Sequence, residues 1–130
     1  MVMVANILLI NGSHDHDWAD TLKGAINTLA TLKIAREEDV IKHISLSKYD
    51  LIILDAVAVK NMSLLIARIN SQQPDIRIIV ATSSPTWTRA REAYQAGAID
   101  YMKKTLNKEE ILYVVQEALI KKPLLRLSRQ

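Results

Sequence analysis

The chain has 130 residues, of which 49% are hydrophobic and 24% charged, a composition typical of one compact globular domain. It contains no cysteine, which excludes a disulfide framework and a thiolate metal site and favours a cytoplasmic location. The net charge is +3, but much of the basic excess lies in the last ten residues, so it does not indicate a nucleic-acid-binding face. The apolar opening at 1–10 is shorter than the ~18 residues that a membrane span needs. We therefore expect neither a membrane nor a nucleic acid as a direct partner.

Four short apolar runs, at 4–10, 51–54, 76–81 and 99–102, are candidate β-strands. None alternates with a period of two residues, so each is expected to be covered on both faces, as strands of a parallel sheet are. A further short strand is predicted over about 33–36, second in chain order. Parallel strands need long crossovers, and the gaps between the runs are long enough to supply them.

Helical signals fall in the gaps after the strands. An apolar stripe from Trp18 to Leu32 predicts the first helix, and the others are predicted over about 38–46, over 61–70, from Ser84-Pro85 to Gly97, and from Asn107 onward. Asn61, Ser84 and Asn107 are candidate N-caps, Glu110 would complete a capping box with Asn107, and Gly97 is a candidate C-terminal stop. Five β-α units predict a doubly wound α/β parallel sheet with helices on both faces.

We assign residues 1–122 to this domain and interpret 123–130 as a linker or tail, leading toward an output domain after residue 130.

Polar residues follow the apolar runs at Asn11, Asp55, Thr82 and Lys104. Reactive groups of open α/β sheets gather outside the carboxyl ends of the strands. A carboxylate, a hydroxyl and an amine at one edge suit the binding or transfer of a phosphoryl group. In the alternative interpretation, Asp55 only caps its loop and Lys104 is an ordinary surface lysine. A nucleotide-binding enzyme is poorly supported, since the sequence has no glycine-rich phosphate loop.

Three stretches, YDLIILD, IIVATSS and AYQAGAIDYMKK, resemble receiver domains of two-component response regulators, and the similarity covers about residues 4–121. The resemblance implies a flavodoxin-like five-stranded sheet of order 2-1-3-4-5 with five helices, and a domain that is not itself an enzyme. It implies that Asp55 is the phosphoacceptor and that the Thr82 hydroxyl moves toward the phosphorylated aspartate. It also implies that Lys104 pairs with the phosphoryl group and that Tyr101 is a rotating aromatic of the output face. The implied partner is a sensor histidine kinase or another signalling protein.

The sequence departs from this family at the end of the first strand, where an acidic pair normally holds Mg²⁺. Here the pair is Asn11-Gly12, so Asp55 would be the only carboxylate ligand, and we expect Mg²⁺ to bind weakly or not at all. Nearby acids and histidines lie at the start of the first helix, where the helix dipole favours acids, and we interpret them as structural: His14, Asp15, His16 and Asp17.

Two hypotheses for the function follow. The combination of Asp55, Thr82 and Lys104 favours a receiver that acts in phosphorelay signal transduction, whereas the missing acidic pair favours a phosphorylation-independent pseudo-receiver that serves as a protein-interaction module. In both cases we expect partner binding, or a homodimer, through helix 4, strand 5 and helix 5, where aromatic residues are concentrated. We also expect the Asp55→Asn substitution to be neutral or mildly stabilising, because it removes a negative charge from a cleft with no metal to bind it. The opposing loss of an ion pair with Lys104 would be worth only ~0–1 kcal/mol if that pair is exposed.

Overall fold

The computed structural model describes residues 4–12 and 16–121, which form a five-stranded sheet with helices on both faces. The strands are β1 Ala5–Ile10, β2 Ala30–Ala35, β3 Leu51–Asp55, β4 Arg77–Thr82 and β5 Asp100–Lys103. The helices are α1 His16–Ile26, α2 Val40–Leu46, α3 Met62–Gln72, α4 Trp87–Ala96 and α5 Lys108–Ile120. The sheet order is β2-β1-β3-β4-β5 and every neighbouring pair is parallel, which confirms the flavodoxin-like architecture. The segment 123–130 lies outside the described residues.

Strand β3 lies at the centre of the sheet, and all five of its residues are buried. Its side chains alternate between two apolar cores, as successive residues of a strand must. Ile52 and Leu54 face the core beneath α2, α3 and α4, while Leu51 and Ile53 face the core beneath α1 and α5. The sequence has a continuous apolar run here because both faces are covered. Asp55 ends the strand where this run ends.

The first helix is shorter than predicted. Helix α1 ends at Ile26, and Leu32 lies in β2, which begins at Ala30 rather than near residue 33. Leu29 and Leu32 pack against the same core as α1, so the apolar stripe continues although the backbone has left the helix. The prediction was wrong because apolar spacing reports which residues face a core and not the backbone conformation that places them there.

Helix α4 begins later than predicted, at Trp87. Its N-cap is Thr86, whose hydroxyl accepts a hydrogen bond from the Arg89 amide at 3.2 Å. Ser84 is not the cap, because its amide instead donates to the Thr82 hydroxyl at 3.1 Å in the preceding turn. Gly97 ends α4 as predicted, with φ of 126°, a backbone conformation that side chains disfavour.

The predicted caps of α3 and α5 are confirmed. The Asn61 side chain accepts from the Leu64 amide, and the Asn107 side chain accepts from the amides of Glu109 and Glu110. In the predicted capping box, the Glu110 side chain would in turn accept from the Asn107 amide. That amide instead donates to the Thr105 hydroxyl at 3.0 Å. Among the described residues, no helix has both the length and the apolar character needed to cross a membrane.

Candidate functional site

Three of the predicted site residues meet at the carboxyl ends of β3, β4 and β5. Asp55 is the last residue of β3 and Thr82 the last of β4, and their relative exposures are 1% and 4%. In the sheet register, Asp55 lies opposite Ala81, and Thr82 lies opposite Lys103, the residue before Lys104. Parallel pairing therefore places a carboxylate, a hydroxyl and an ammonium at one corner.

The Asp55 carboxylate is held by two donors. The Lys104 Nζ lies 2.7 Å from Asp55 Oδ2, and the Val57 amide donates to Asp55 Oδ1 at 3.1 Å. The side chains of Lys104 and Asp55 are only 8% and 1% exposed. The pair is thus buried, and not the exposed pair assumed from the sequence. Because removing one partner of a buried pair leaves an uncompensated charge, the expectation that Asp55→Asn is neutral must be revised.

Thr82 is connected to Lys104 through the main chain. The Lys104 amide donates to the Thr82 carbonyl at 2.8 Å, which fixes the start of the β5–α5 loop against the end of β4. The Thr82 hydroxyl accepts from the Ser84 amide, and a hydroxyl that accepts in this way can still donate its hydrogen. Thr82 is therefore able to act as a hydrogen-bond donor at the corner occupied by Asp55.

Trp18 is a site residue that the sequence did not reveal. The Lys104 Nζ lies over its ring, 5.4 Å from the centroid, and Trp18 itself is 3% exposed. Its helical spacing predicted a residue of the α1 core, which it is, but sequence spacing carries no signal for contact with a lysine 86 positions later. The ammonium thus lies near both a carboxylate and an indole face.

Tyr101 lies in β5 opposite Val80, on the face of the sheet covered by α3 and α4. Its ring is partly buried against that core, and its hydroxyl is buried with no hydrogen-bond partner among residues 4–12 and 16–121. The residue lines a cavity of about 300 Å³, together with Arg89 and Ala93 of α4. Tyr101 therefore packs against the opposite core from Trp18.

Asn11 and Gly12 follow β1 at the same edge of the sheet. The Asn11 amide donates to the Ala35 carbonyl at 3.2 Å, and a Cβ placed on Gly12 would lie 3.7 Å from the Ala58 Cβ, an ordinary contact. Position 12 therefore has room for a Cβ, and the space around it does not require a glycine.

Of the described residues that end or directly follow β1, β3 and β4 at this edge, only Asp55 offers a carboxylate to a magnesium ion. Mg²⁺ is usually held by one or two carboxylates and demands near-octahedral oxygen geometry, whereas the carboxylate here is Asp55, whose oxygens already accept from Lys104 and Val57. Within the described part of the chain, no group of three or more His, Cys, Asp or Glu side chains could hold a metal ion. His16 and Asp17 are exposed in the first turn of α1, and His14 and Asp15 lie outside the described residues.

Comparison with known proteins decides the family. The family model for the response regulator receiver domain matches residues 14–116 of this chain. The chain belongs to this family. As a receiver domain of a response regulator, it is a component of two-component signalling.

Solved structures and a curated relative agree with this assignment. A response regulator from Thermotoga maritima superposes with a TM-score of 0.83 at 20% identity, covering 92% of this receiver domain and all of that chain. A two-component response regulator from Clostridium difficile gives 0.76 at 29% identity, covering 89% and 95%. The DNA-binding transcriptional regulator NtrC of Azospirillum brasilense is 41% identical over 71 residues, which is 54% of this chain but only 15% of that protein. The match thus concerns a small part of the length of NtrC.

Proposed function

We propose that this receiver domain acts in phosphorelay signal transduction, with Asp55 accepting the phosphoryl group and with little help from Mg²⁺. The observation that carries the proposal is the 2.7 Å contact between Lys104 and Asp55, at a corner that also contains Thr82. A nucleophilic carboxylate, a cation and a hydroxyl donor are the groups that phosphoryl transfer to an aspartate requires.

In the proposed reaction, an Asp55 carboxylate oxygen attacks the phosphorus of the donor. The new bond joins that oxygen to phosphorus, and the bond between phosphorus and the leaving group breaks, so the leaving group departs with the electron pair. Lys104 then pairs with the phosphoryl oxygens, and the Thr82 hydroxyl donates a hydrogen bond to one of them. Since Asn11 and Gly12 supply no carboxylate for a metal, Lys104 is the cation that offsets the charge that builds on the phosphoryl group. We therefore expect slow transfer.

A second candidate is a pseudo-receiver that signals without phosphorylation. It is favoured by the same buried pair, because Lys104 already neutralises Asp55. In that case Asp55 and Lys104 stabilise one conformation, and a partner protein reads that conformation directly. The two candidates differ in whether Asp55 ever carries a phosphoryl group.

Exposure to acetyl phosphate, with and without Mg²⁺, tests the proposal by intact-mass spectrometry. We expect a single phosphoryl adduct that forms slowly, that depends little on Mg²⁺, and that is absent from the Asp55→Asn variant. Asp75→Asn is the matched control, because Asp75 is an exposed aspartate outside this corner and its loss should leave the adduct unchanged. No adduct from acetyl phosphate or from a phosphorylated histidine kinase would leave the pseudo-receiver as the function.

For the partner, we propose the surface formed by α4, β5 and α5, which we call the α4–α5 surface. Trp87, Leu106 and Tyr113 are 81%, 66% and 65% exposed there, and large exposed apolar side chains mark interaction sites when they are grouped. A sensor histidine kinase, an output domain after residue 130 or a second copy of the chain would use this surface. Two further expectations stay predictions: that the domain is not an enzyme, and that it is cytoplasmic.

A further inference from the structure

Among the described residues, Asp55 and Trp18 lie beside the Lys104 ammonium and differ in chemistry. The Asp55 carboxylate lies at 2.7 Å, and the centre of the Trp18 ring lies at 5.4 Å, within the ~6 Å over which a cation is attracted to an aromatic face. Lys104 comes from the end of β5 and Trp18 from the first turn of α1, so this contact joins α1 to the site.

The contact is shielded from water. Trp18 is 3% exposed, Asp55 1% and the Lys104 side chain 8%. A lysine side chain is long and flexible, and in water it would sample many rotamers. The attraction between a cation and the negative face of an aromatic ring is strongest where both are desolvated, as they are here. The indole can therefore restrict the ammonium to positions close to Asp55.

We propose that Trp18 is a positioning residue of this site, whose indole face holds the Lys104 ammonium against Asp55. The Asp55 carboxylate contacts the ammonium at 2.7 Å, and the indole limits its motion from the side of α1. This arrangement holds the positive charge of Lys104 at a fixed position in the corner. A role of the Lys104 charge toward a phosphoryl group rests on the proposed function, whereas the contact between Trp18 and Lys104 does not depend on it.

The simpler role for Trp18 is core packing, since it belongs to the apolar cluster beneath α1 and α5. The two roles respond differently to fluorination of the indole. Fluorine atoms on the ring weaken its negative face while nearly preserving its size, so they weaken attraction to a cation and leave packing almost unchanged. Because Trp87 is the second tryptophan of the chain and is 81% exposed, Trp87→Phe gives a background in which Trp18 alone carries the label.

The experiment uses the full chain in the Trp87→Phe background, with tryptophan replaced by its mono-, di- and trifluorinated forms. The readout is the rate at which acetic anhydride modifies Lys104, followed by peptide mass spectrometry, with the exposed neighbour Lys103 as internal control. We expect the Lys104 rate to rise with each fluorine, by about fivefold across the series, while the Lys103 rate stays constant. A Trp18→Phe variant should fall within the series, because phenylalanine retains a weaker aromatic face.

A Lys104 rate that does not change across the series, in proteins whose melting temperatures are also unchanged, would overturn the proposal and leave Trp18 as a packing residue. Equal acceleration at Lys103 and Lys104 would also overturn it, because it would indicate general loosening of the fold. No phosphodonor is present in this experiment. If Asp55 is never phosphorylated, the proposed function fails while this result stands.

Discussion

Lys104 and Asp55 form an ion pair 2.7 Å long in which both side chains are almost entirely buried. Removing one member takes a counter-charge from a buried group, and breaking a buried pair in this way typically costs ~3–5 kcal/mol. We therefore expect Asp55→Asn and Lys104→Met each to lower the free energy of unfolding by ~3 kcal/mol in urea titrations. The double variant should be less destabilised than the sum of the two, because neither charge then remains.

Losses below ~1 kcal/mol for both single variants would contradict this expectation, since such values are typical of exposed pairs. The exposed pair of Arg36 and Glu38, with 3.8 Å between its charged atoms, offers the matched control. Disrupting it should change stability by less than ~1 kcal/mol.

The magnesium site can be rebuilt from the sequence. Asn11→Asp with Gly12→Asp would place two carboxylates at the end of β1, and the space beside Ala58 accepts a Cβ at residue 12. Neighbouring carboxylates repel one another, so the variant should melt below wild type in EDTA and regain stability as Mg²⁺ is added. Calorimetric titration measures the binding directly. Adding Asp55→Asn to the rebuilt protein should weaken Mg²⁺ binding, and equal binding with and without Asp55 would mean that the three residues do not converge.

Trp87 is expected to contribute to binding but not to stability. It is the first residue of α4 and 81% exposed, and alanine is the better helix former, so Trp87→Ala should change the unfolding free energy by less than ~0.5 kcal/mol. Self-association through the α4–α5 surface, followed by analytical ultracentrifugation, should weaken by about tenfold, as when a peripheral aromatic anchor is lost. Leu64→Ala, an exposed apolar residue of α3, is the control and should have no effect. The assignment of this surface fails if Trp87→Ala leaves association unchanged.

The Tyr94 phenol gives the fold a pH dependence at the alkaline end. Burial raises the pKa of Tyr94 above its ordinary value of 10.0, and the nearby Asp100 charge and the hydrogen bond to Asp100 raise it further. A raised folded-state pKa means that the fold favours the neutral phenol, so this stabilisation is present below pH 10 and is lost as pH rises through the folded-state value. Stability curves of wild type and Tyr94→Phe should therefore converge above pH 10. Asp100→Asn should reduce the effect, and parallel curves from pH 9 to 11 would refute it.

The strand arrangement was predictable because buried parallel strands leave a strong signal. The apolar run that became β3 is continuous, and those of β1 and β4 are interrupted only by Asn6 and Arg77. The polar residue after each run, such as Asp55 or Thr82, identified the edge where the site lies. Helix boundaries were less predictable, because the stripe that includes Leu32 continues from α1 into β2. Ser84 and Thr86 are both good cap residues, and only the turn around Thr82 decides between them.

Two properties of the site could not be obtained from sequence. One is the burial of Lys104, which depends on how far the β5–α5 loop folds over the edge, and the other is its contact with Trp18. Both are relationships between residues far apart in the chain. A pattern of residue types predicts which groups share an edge of a sheet, but the depth of a side chain depends on the packing of its neighbours.

The hydrogen bond between the Lys104 amide and the Thr82 carbonyl has a consequence for signalling that does not depend on side-chain identity. A movement of β4 at Thr82 displaces the backbone of the β5–α5 loop, because this bond joins the end of β4 to the start of that loop. Most substitutions at either position would change the chemistry of the corner and leave the bond intact, since main-chain atoms form it. Proline at position 104, which has no amide hydrogen, is the exception. The backbone itself thus links motion at the end of β4 to motion of the β5–α5 loop. Side-chain substitutions can change the chemistry of the site without removing that link.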